Sequence, residues 1–375
     1  MKRLNIKYAV ASIVLYCLIF NGPPCLAEQV IPSGRVKTVL NVREEPMAKS
    51  PIVGKLLPNE KAKHLDSVPY WYHVKLETGV TGYVSKAWAE LVDKPQATDR
   101  LLRIGSWNIK KLGHGSKTNY ETVAKIIESN FDVMAVIEVM QKGGSHPGYD
   151  KLIAALDPSW KGLVTDKPRP NTGSGNAEFY AILYRSNLVN TCSGWDSLVF
   201  TPDNDGSGLD SDVGFFAREP AFGCFEVPNN NGSVGFDFLL AGYHARWAHG
   251  NKGEIKEEVS RLEEVFQEMG RSRPNEADLI IAGDFNLVPI EIQEALNFAP
   301  GTIAIGSTLN SKGAITRNIY DHILVHNKSA TQEMVDSPTV LDVTSFASNG
   351  KEFYSKVSDH LPVVARFKSF AIDDD

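Results

Sequence analysis

The stretch "LIIAGDFNLVP", residues 279–289, decides the architecture. Leu279, Ile280, Ile281 and Ala282 form an unbroken apolar run, the pattern of a strand covered on both faces. Gly283 ends the run, and Asp284 and Asn286 follow two apart. A strand buried on both sides has no structural use for a carboxylate at its end. The expectation is therefore a layered core with polar chemistry collected along one edge.

Other segments end the same way. "IGSWNI" delivers Asn108, "VMAVIE" delivers Glu138 and "LLAGYH" delivers His244, while "NIYDHILV" carries Asp321 and "KVSDHLP" carries Asp359 and His360. "AEFYAILYR" and "LPVVARF" read as further strands. Between them, "TNYETVAKIIESN" puts Val123, Ile126 and Ile127 on one helical face. "KGEIKEEVSRLEEVFQEMG" spaces Ile255, Val259, Leu262, Val265, Phe266 and Met269 as a single helix. Many strands with few helices suggest a sheet-on-sheet core under helical cover.

Each polar residue taken alone has a plainer reading, since a lone strand-end Asp is commonly a turn or helix cap and a lone His a structural one. Gathered at one edge, they make a chemical set. Hard divalent cations take carboxylate and amide oxygens, whereas the Cys/His spacings that favour zinc are absent from the sequence. Hydrolysis of a phosphate ester needs charge stabilisation, an activated water and a proton for the leaving oxygen. Two imidazoles, each oriented by a carboxylate, could move the protons.

The ordered series "WNI…IEV…AEFYAILYR…AREP…GYHA…GDFN…YDHI…SDHLP" resembles the endonuclease/exonuclease/phosphatase superfamily, and within it the deoxyribonuclease I branch, over nearly all of residues 101–368. The resemblance implies a four-layer α/β sandwich with two central sheets. It implies Glu138, Asp284 and Asp359 as ligands of magnesium or manganese, and His244 with Glu178 and His360 with Asp321 as catalytic pairs. Asn108, Asn286 and Arg218 would contact the substrate phosphate. Two positions depart from the branch. Met140 stands where an arginine for the minor groove is expected, and Asn176 where a tyrosine is expected, which bears on duplex contacts rather than on hydrolysis. Related nucleases hold structural calcium in an insertion before the "REP" strand. Here "TPDNDGSGLDSD", residues 201–212, offers Asp203, Asp205, Asp210 and Asp212 as a candidate calcium site, the alternative being a solvated acidic loop.

The 375 residues leave room for a second, smaller domain. Residues 34–93 show strand alternation, such as Trp71, His73 and Lys75 against Tyr72, Val74 and Leu76, with turns at Gly54, Pro58, Asn59 and Gly79. "LNVREEP", "VGKLLPNE", "WYHVKL" and "GVTGYVSKAW" resemble the bacterial SH3-like family, which implies a small all-β barrel. It would serve either as a module for cell-wall ligands or as a stabilising accessory. "DKPQATDR", residues 93–100, reads as a linker from residue 94, and the acidic tail 369–375 as disordered.

The first 27 residues read as a signal peptide: Lys2, Arg3 and Lys7, an uncharged run from Tyr8 to Phe20, then a small residue at Ala27. That run is short of the ~20 residues needed to span a bilayer, and the prolines before Cys25 disfavour a lipoprotein. Cleavage removes three positive charges, turning a net −6 into −9. Of the cysteines it leaves Cys192 and Cys224, either a disulfide or two buried thiols. Residues 28–100 carry about +2 and residues 101–375 about −11. A net acidic enzyme domain would hold DNA weakly and transiently, through cations and local residues such as Lys110, Lys111 and Arg218. The expectation is an exported monomeric nuclease, periplasmic or secreted. The alternatives are a phosphomonoesterase or sphingomyelinase-like phospholipase of the same fold, or a non-enzymatic wall-binding protein.

Overall fold

The computed structural model describes residues 29–58, 60–92, 101–114, 117–168, 177–201, 216–228, 234–248, 251–297, 301–302, 306–326, 331 and 333–369. The expected signal peptide, the linker, Asn176, the four calcium-loop aspartates and the tail beyond Ser369 lie outside them. The chain divides into two compact units at Lys94/Pro95.

The first unit is all-β: β1 (Gln29–Pro32), β2 (Leu40–Arg43), β3 (Ile52–Leu56), β4 (Ala62–Val68), β5 (Trp71–Lys75), β6 (Thr81–Ser85) and β7 (Ala89–Val92). They pair antiparallel in the order β3-β2-β6-β5-β4-β1-β7 around a core that includes Val30, Val42, Val74 and Val84. Among the described residues β3 and β7 do not pair, so the expected barrel is an open sheet in its hydrogen bonding.

The second unit opens with β8 (Leu101–Leu112), α1 (Tyr120–Asn130), β9 (Val133–Met140), α2 (Pro147–Ala155), β10 (Trp160–Val164) and β11 (Glu178–Arg185). β12 (Asn190–Thr191), β13 (Val199–Phe200), β14 (Ala221–Pro228) and β15 (Val234–His244) follow, then α3 (Lys252–Ser260) and α4 (Leu262–Ser272). β16 (Leu279–Asp284), α5 (Pro289–Leu296), β17 (Asp321–His326), β18 (Thr339–Val340), α6 (Gly350–Lys356) and β19 (Val363–Lys368) complete it. One sheet runs β10-β11-β9-β8-β19-β18 and the other β12-β14-β15-β16-β17, with β13 beside β14.

Alternation along the strands builds four layers. Ile104, Val133, Ala135, Ile182, Phe238, Leu240, Ile280, Ala282 and Ile323 form the core between the sheets. The opposite parity faces outward. Trp107, Met134, Val136 and Leu183 pack with Val123, Ile126 and Ile127 of α1, and Leu239, Ile281 and Leu324 with Ile255, Val259, Val265 and Phe266 of α3 and α4. This is the expected four-layer α/β sandwich.

The helix expected over residues 252–270 is two helices. At Arg261 the spacing tightens, its N–H donating to Glu258 three residues back (3.1 Å), yet the same apolar residues face the sheet. Cys192 and Cys224 form a disulfide, Cα–Cα 5.3 Å, tying the segment after β12 to β14.

Candidate active site

Parity places most of the site before any side chain is considered. Counting by twos from inter-sheet core positions, Ile280 and Ala282 lead to Asp284, Phe238 and Leu240 to His244, and Ile323 back to Asp321. Tyr180 and Ile182 lead back to Glu178, and Ile104 leads on to Asn108. All five continue the inward face past the apolar packing, Glu178, His244, Asp284 and Asp321 at strand termini and Asn108 within β8, which runs on to Leu112. In register, His244 lies beside Asp284, and Asp284 beside Asp321. Gly283 permits this: a Cβ there would lie 1.7 Å from the Tyr243 carbonyl oxygen of β15.

Glu138 breaks the rule. Ala135 and Ile137 face the core between the sheets, so position 138 should point outward beside Val136. Instead its φ is +61°, and the β9/β11 register shifts between Phe179 and Ala181, one extra β9 residue being accommodated there. The left-handed backbone, costly for a non-glycine residue by ~1–3 kcal/mol, turns the carboxylate inward. There Oε1 accepts from Asn108 Nδ2 (3.1 Å) and Oε2 from the Lys111 N–H (2.7 Å). Lys111 and Asn286 share the conformation, each with φ +51°. Three strained non-glycine residues thus line one cleft of about 490 Å³.

Two histidine–carboxylate pairs face each other across it. His244 Nδ1 is 2.8 Å from Glu178 Oε2, and His360 Nδ1 is 2.8 Å from Asp321 Oδ2. Their other nitrogens converge: His244 Nε2 lies 3.8 Å and His360 Nε2 3.7 Å from the same Asp284 Oδ2. Asp284 is held by Asn108 Nδ2 on Oδ2 (3.1 Å) and by the Asn286 N–H on Oδ1 (3.0 Å).

Electrostatics follow from burial and these partners. Burial and the Arg218 guanidinium push the His244 imidazole down, but Glu178 and Asp284 outweigh them and the net shift is upward. Burial pushes Glu178 up, while His244 and Arg218 prevail and hold it below the usual carboxylate range. For His360, burial opposes the charge, yet Asp321 and Asp284 raise it to about 10. Asp321 is pushed up by burial, against the pull of His360, to about 6.

The remaining expected residues fall nearby with differing freedom. Arg218 is 4% exposed. Its Nε forms an ion pair with Glu178 Oε1 (2.9 Å), and its Nη1 donates to the carbonyls of His244 and Ala245 (3.1 Å each). Most of its hydrogen-bonding capacity therefore positions the His244 pair. Asn286 Nδ2 donates to the Ala245 carbonyl (3.1 Å). Asp359 pairs with Lys110 Nζ at 3.2 Å, and that ammonium sits 3.4 Å from the Tyr354 ring centroid.

The supports were not foreseen. Tyr180 Oη accepts from the His244 N–H (3.2 Å), Trp107 Nε1 donates to the His360 carbonyl (2.9 Å), and Ser307 Oγ accepts from the Asp321 N–H (3.1 Å). Their only sequence signal is proximity in strand parity or chain to the residues they hold.

The donor set fits a hard divalent cation. Glu138, Asp284 and Asp359 supply carboxylates, and Asn108 Oδ1 is buried with no partner among the described residues. A second grouping, Asp284, Asp321 and His360, offers ligand atoms all within 4.8 Å of one another, but it would occupy the His360 imidazole. Together the carboxylates can hold a cation and the two oriented imidazoles can move protons within one cleft.

The chain belongs to the endonuclease/exonuclease/phosphatase family, whose model matches residues 105–360. A bacterial SH3 domain model matches residues 38–90. Over 297 residues the chain is 30% identical to a protein of Thioalkalivibrio sp. (strain K90mix) named deoxyribonuclease, covering 75% of this chain and 74% of that protein. The fold is shared with an endonuclease/exonuclease/phosphatase from Bacteroides vulgatus. That match has a TM-score of 0.50 and 14% identity, covering 72% of this chain and all of the other. Enzymes of the family are in general dependent on divalent metals.

Proposed function

We propose that the protein is an exported, divalent-metal-dependent nuclease that hydrolyses phosphodiester bonds in DNA. The observation that carries the reading is the convergence of His244 Nε2 and His360 Nε2 on one oxygen of Asp284, each imidazole held from behind by a buried carboxylate. A phosphodiester needs both a proton acceptor for water and a proton donor for the departing sugar oxygen, and two such pairs supply one of each. One imidazole takes the proton of the attacking water at Nε2 as the new P–O bond forms. The other gives its Nε2 proton to the leaving oxygen as the old P–O bond breaks. Glu178 and Asp321 fix the tautomers and stabilise the imidazolium forms.

Magnesium or manganese held by Glu138, Asp284 and Asp359 would neutralise charge on the phosphoryl oxygens, and this position leaves both imidazoles available. Asn108 and Asn286 orient the phosphate, and Arg218 holds the Glu178 carboxylate. The disulfide supports an oxidising compartment, and no helix among the described residues is long and apolar enough to cross a membrane. The proposed organisation is a signal peptide at 1–27, an SH3-like domain at 34–93, a linker at 94–100, a catalytic domain at 101–368 and a tail at 369–375, in a monomer. The relative named deoxyribonuclease supports DNA as substrate.

The test is a substrate panel at matched concentration with magnesium or with chelator: supercoiled plasmid, p-nitrophenyl phosphate and sphingomyelin vesicles. Magnesium-dependent nicking well above the other two rates is expected. Turnover of the monoester or the lipid with intact plasmid would replace the nuclease by one of those activities.

A further inference from the structure

The SH3-like unit carries a face with no role in its own core. Val42, Val74 and Val84 point into that core, so the opposite parity of β2, β5 and β6 faces away from it. On that side Arg43 lies beside Tyr83 and Tyr83 beside His73, with the His73 and Tyr83 rings stacked at 4.6 Å. One row further, Trp71 lies beside Ser85. These rows border a groove of about 440 Å³ into which Trp71, Trp88, Arg35, Lys37 and Arg43 all contribute. No acidic side chain lines it among the described residues, and Trp88 is 50% exposed. A solvent-facing sheet surface is ordinarily polar, and aromatic rings clustered there with cations mark a binding surface.

We propose that this groove holds a single-stranded stretch of polynucleotide, with bases stacked on Trp71 and Trp88 and phosphates at Arg35, Lys37 and Arg43. Aromatic platforms interleaved with cations suit a strand whose every base has a flat face and whose every linkage is an anion. An acidic peptide would meet the cations but supplies no regular run of flat faces for the two indoles, so it is the poorer occupant. Charge points the same way. The strongly acidic catalytic unit repels polyanions at long range, and a positively charged companion would keep the chain on its substrate between turnovers. The choice of polynucleotide rests on the nuclease reading, but binding in the groove is measured apart from cleavage.

The experiment uses the full-length protein in chelator with a fluorescein-labelled oligothymidylate of about 20 nucleotides, followed by anisotropy across a salt series. Trp88→Ala is expected to raise Kd roughly 5- to 100-fold, the loss of one stacked base. Lys37→Glu is expected to lower the salt slope by about 0.7 or more. With magnesium, Trp88→Ala should still hydrolyse bis(p-nitrophenyl) phosphate at the parent rate, a probe without a polynucleotide strand. Parent-like oligonucleotide affinity in both variants would overturn the proposal. So would tighter binding of an acidic peptide or a cell-wall fragment that Trp88→Ala abolishes. If plasmid stays intact while Trp88→Ala still loses the oligonucleotide, the nuclease reading falls and the groove assignment stands.

Discussion

Replacing Glu178 with Gln changes one atom and should disable the His244 pair without unfolding the protein. In the wild type, Glu178 Oε1 faces Arg218 Nε at 2.9 Å and Oε2 faces His244 Nδ1 at 2.8 Å. Arg218 can only donate, so the new amide oxygen is drawn to it and the amide NH2 is left facing Nδ1. That selects the tautomer with its proton on Nε2, the nitrogen aimed at Asp284, and removes the lone pair a base needs. Loss of one acid–base partner costs ~10²–10⁴ in rate, or about 3–5 kcal/mol of barrier at 1.36 kcal/mol per decade. The variant also removes the charge holding the His244 pKa up against burial and Arg218, so that imidazole should titrate below its ordinary value. The assays are kcat for plasmid nicking, thermal melting and histidine NMR. Glu178→Ala is the contrast: it strands the buried Arg218 charge and should cost ~3–5 kcal/mol of stability. A Glu178→Gln protein within threefold of wild-type kcat, with a neutral His244 and unaltered melting, would refute the orienting role.

Gly283→Ala should lower the melting temperature by the equivalent of ~1–3 kcal/mol or more, because the added methyl meets the Tyr243 carbonyl at 1.7 Å. Its nicking rate should fall further than that loss explains, since His244 and Asp284 lie at that contact; unchanged melting would contradict the close approach. In cation-free protein, the stabilising contribution of the His360–Asp321 pair should decline as pH rises. Folded Asp321 keeps its proton to about 6, against an ordinary 3.8, so its contribution weakens between those values. The His360 contribution is complete below 6.5 and lost as pH climbs through about 10. His360→Gln should flatten the upper part of a denaturant-midpoint profile, and a profile as steep as wild type would contradict the assignment. Magnesium at a hundredfold over its dissociation constant should stabilise the protein by ~2.7 kcal/mol. Glu138→Gln should abolish that melting shift while Asp321→Asn retains it; the reverse would put the cation in the Asp284–Asp321–His360 cluster.

Much of this was legible because strand geometry is simple. An apolar run with a polar residue at the next inward position places Asp284, His244, Asp321 and Asn108 at a common edge, and the two core parities of "LIIA" foretell a sheet covered on both sides. Glu138 is different in kind. The end of the apolar run "VMAVIE" and the resemblance of "IEV" both mark it, but alternation alone would put it on the outer face. The bulge and left-handed backbone that rescue it depend on pairing with β11, a tertiary fact. Arg218 was legible as a site residue but not as one largely committed to Glu178 and two carbonyls. The break at Arg261 leaves the apolar spacing intact, so periodicity passes over it. Tyr180, Trp107 and Ser307 act through a hydroxyl, an indole nitrogen and a turn, and carry no pattern that separates them from ordinary core or loop residues.

The most direct test is the initial rate of supercoiled-plasmid nicking by the wild type, His244→Ala and His360→Ala, each with magnesium and with excess chelator. Metal-dependent nicking by the wild type, reduced ~10²-fold or more in each variant at unchanged melting temperature, is the expected result. Nicking that survives chelation, or that persists in both histidine variants, would contradict hydrolysis by two oriented imidazoles around a bound cation.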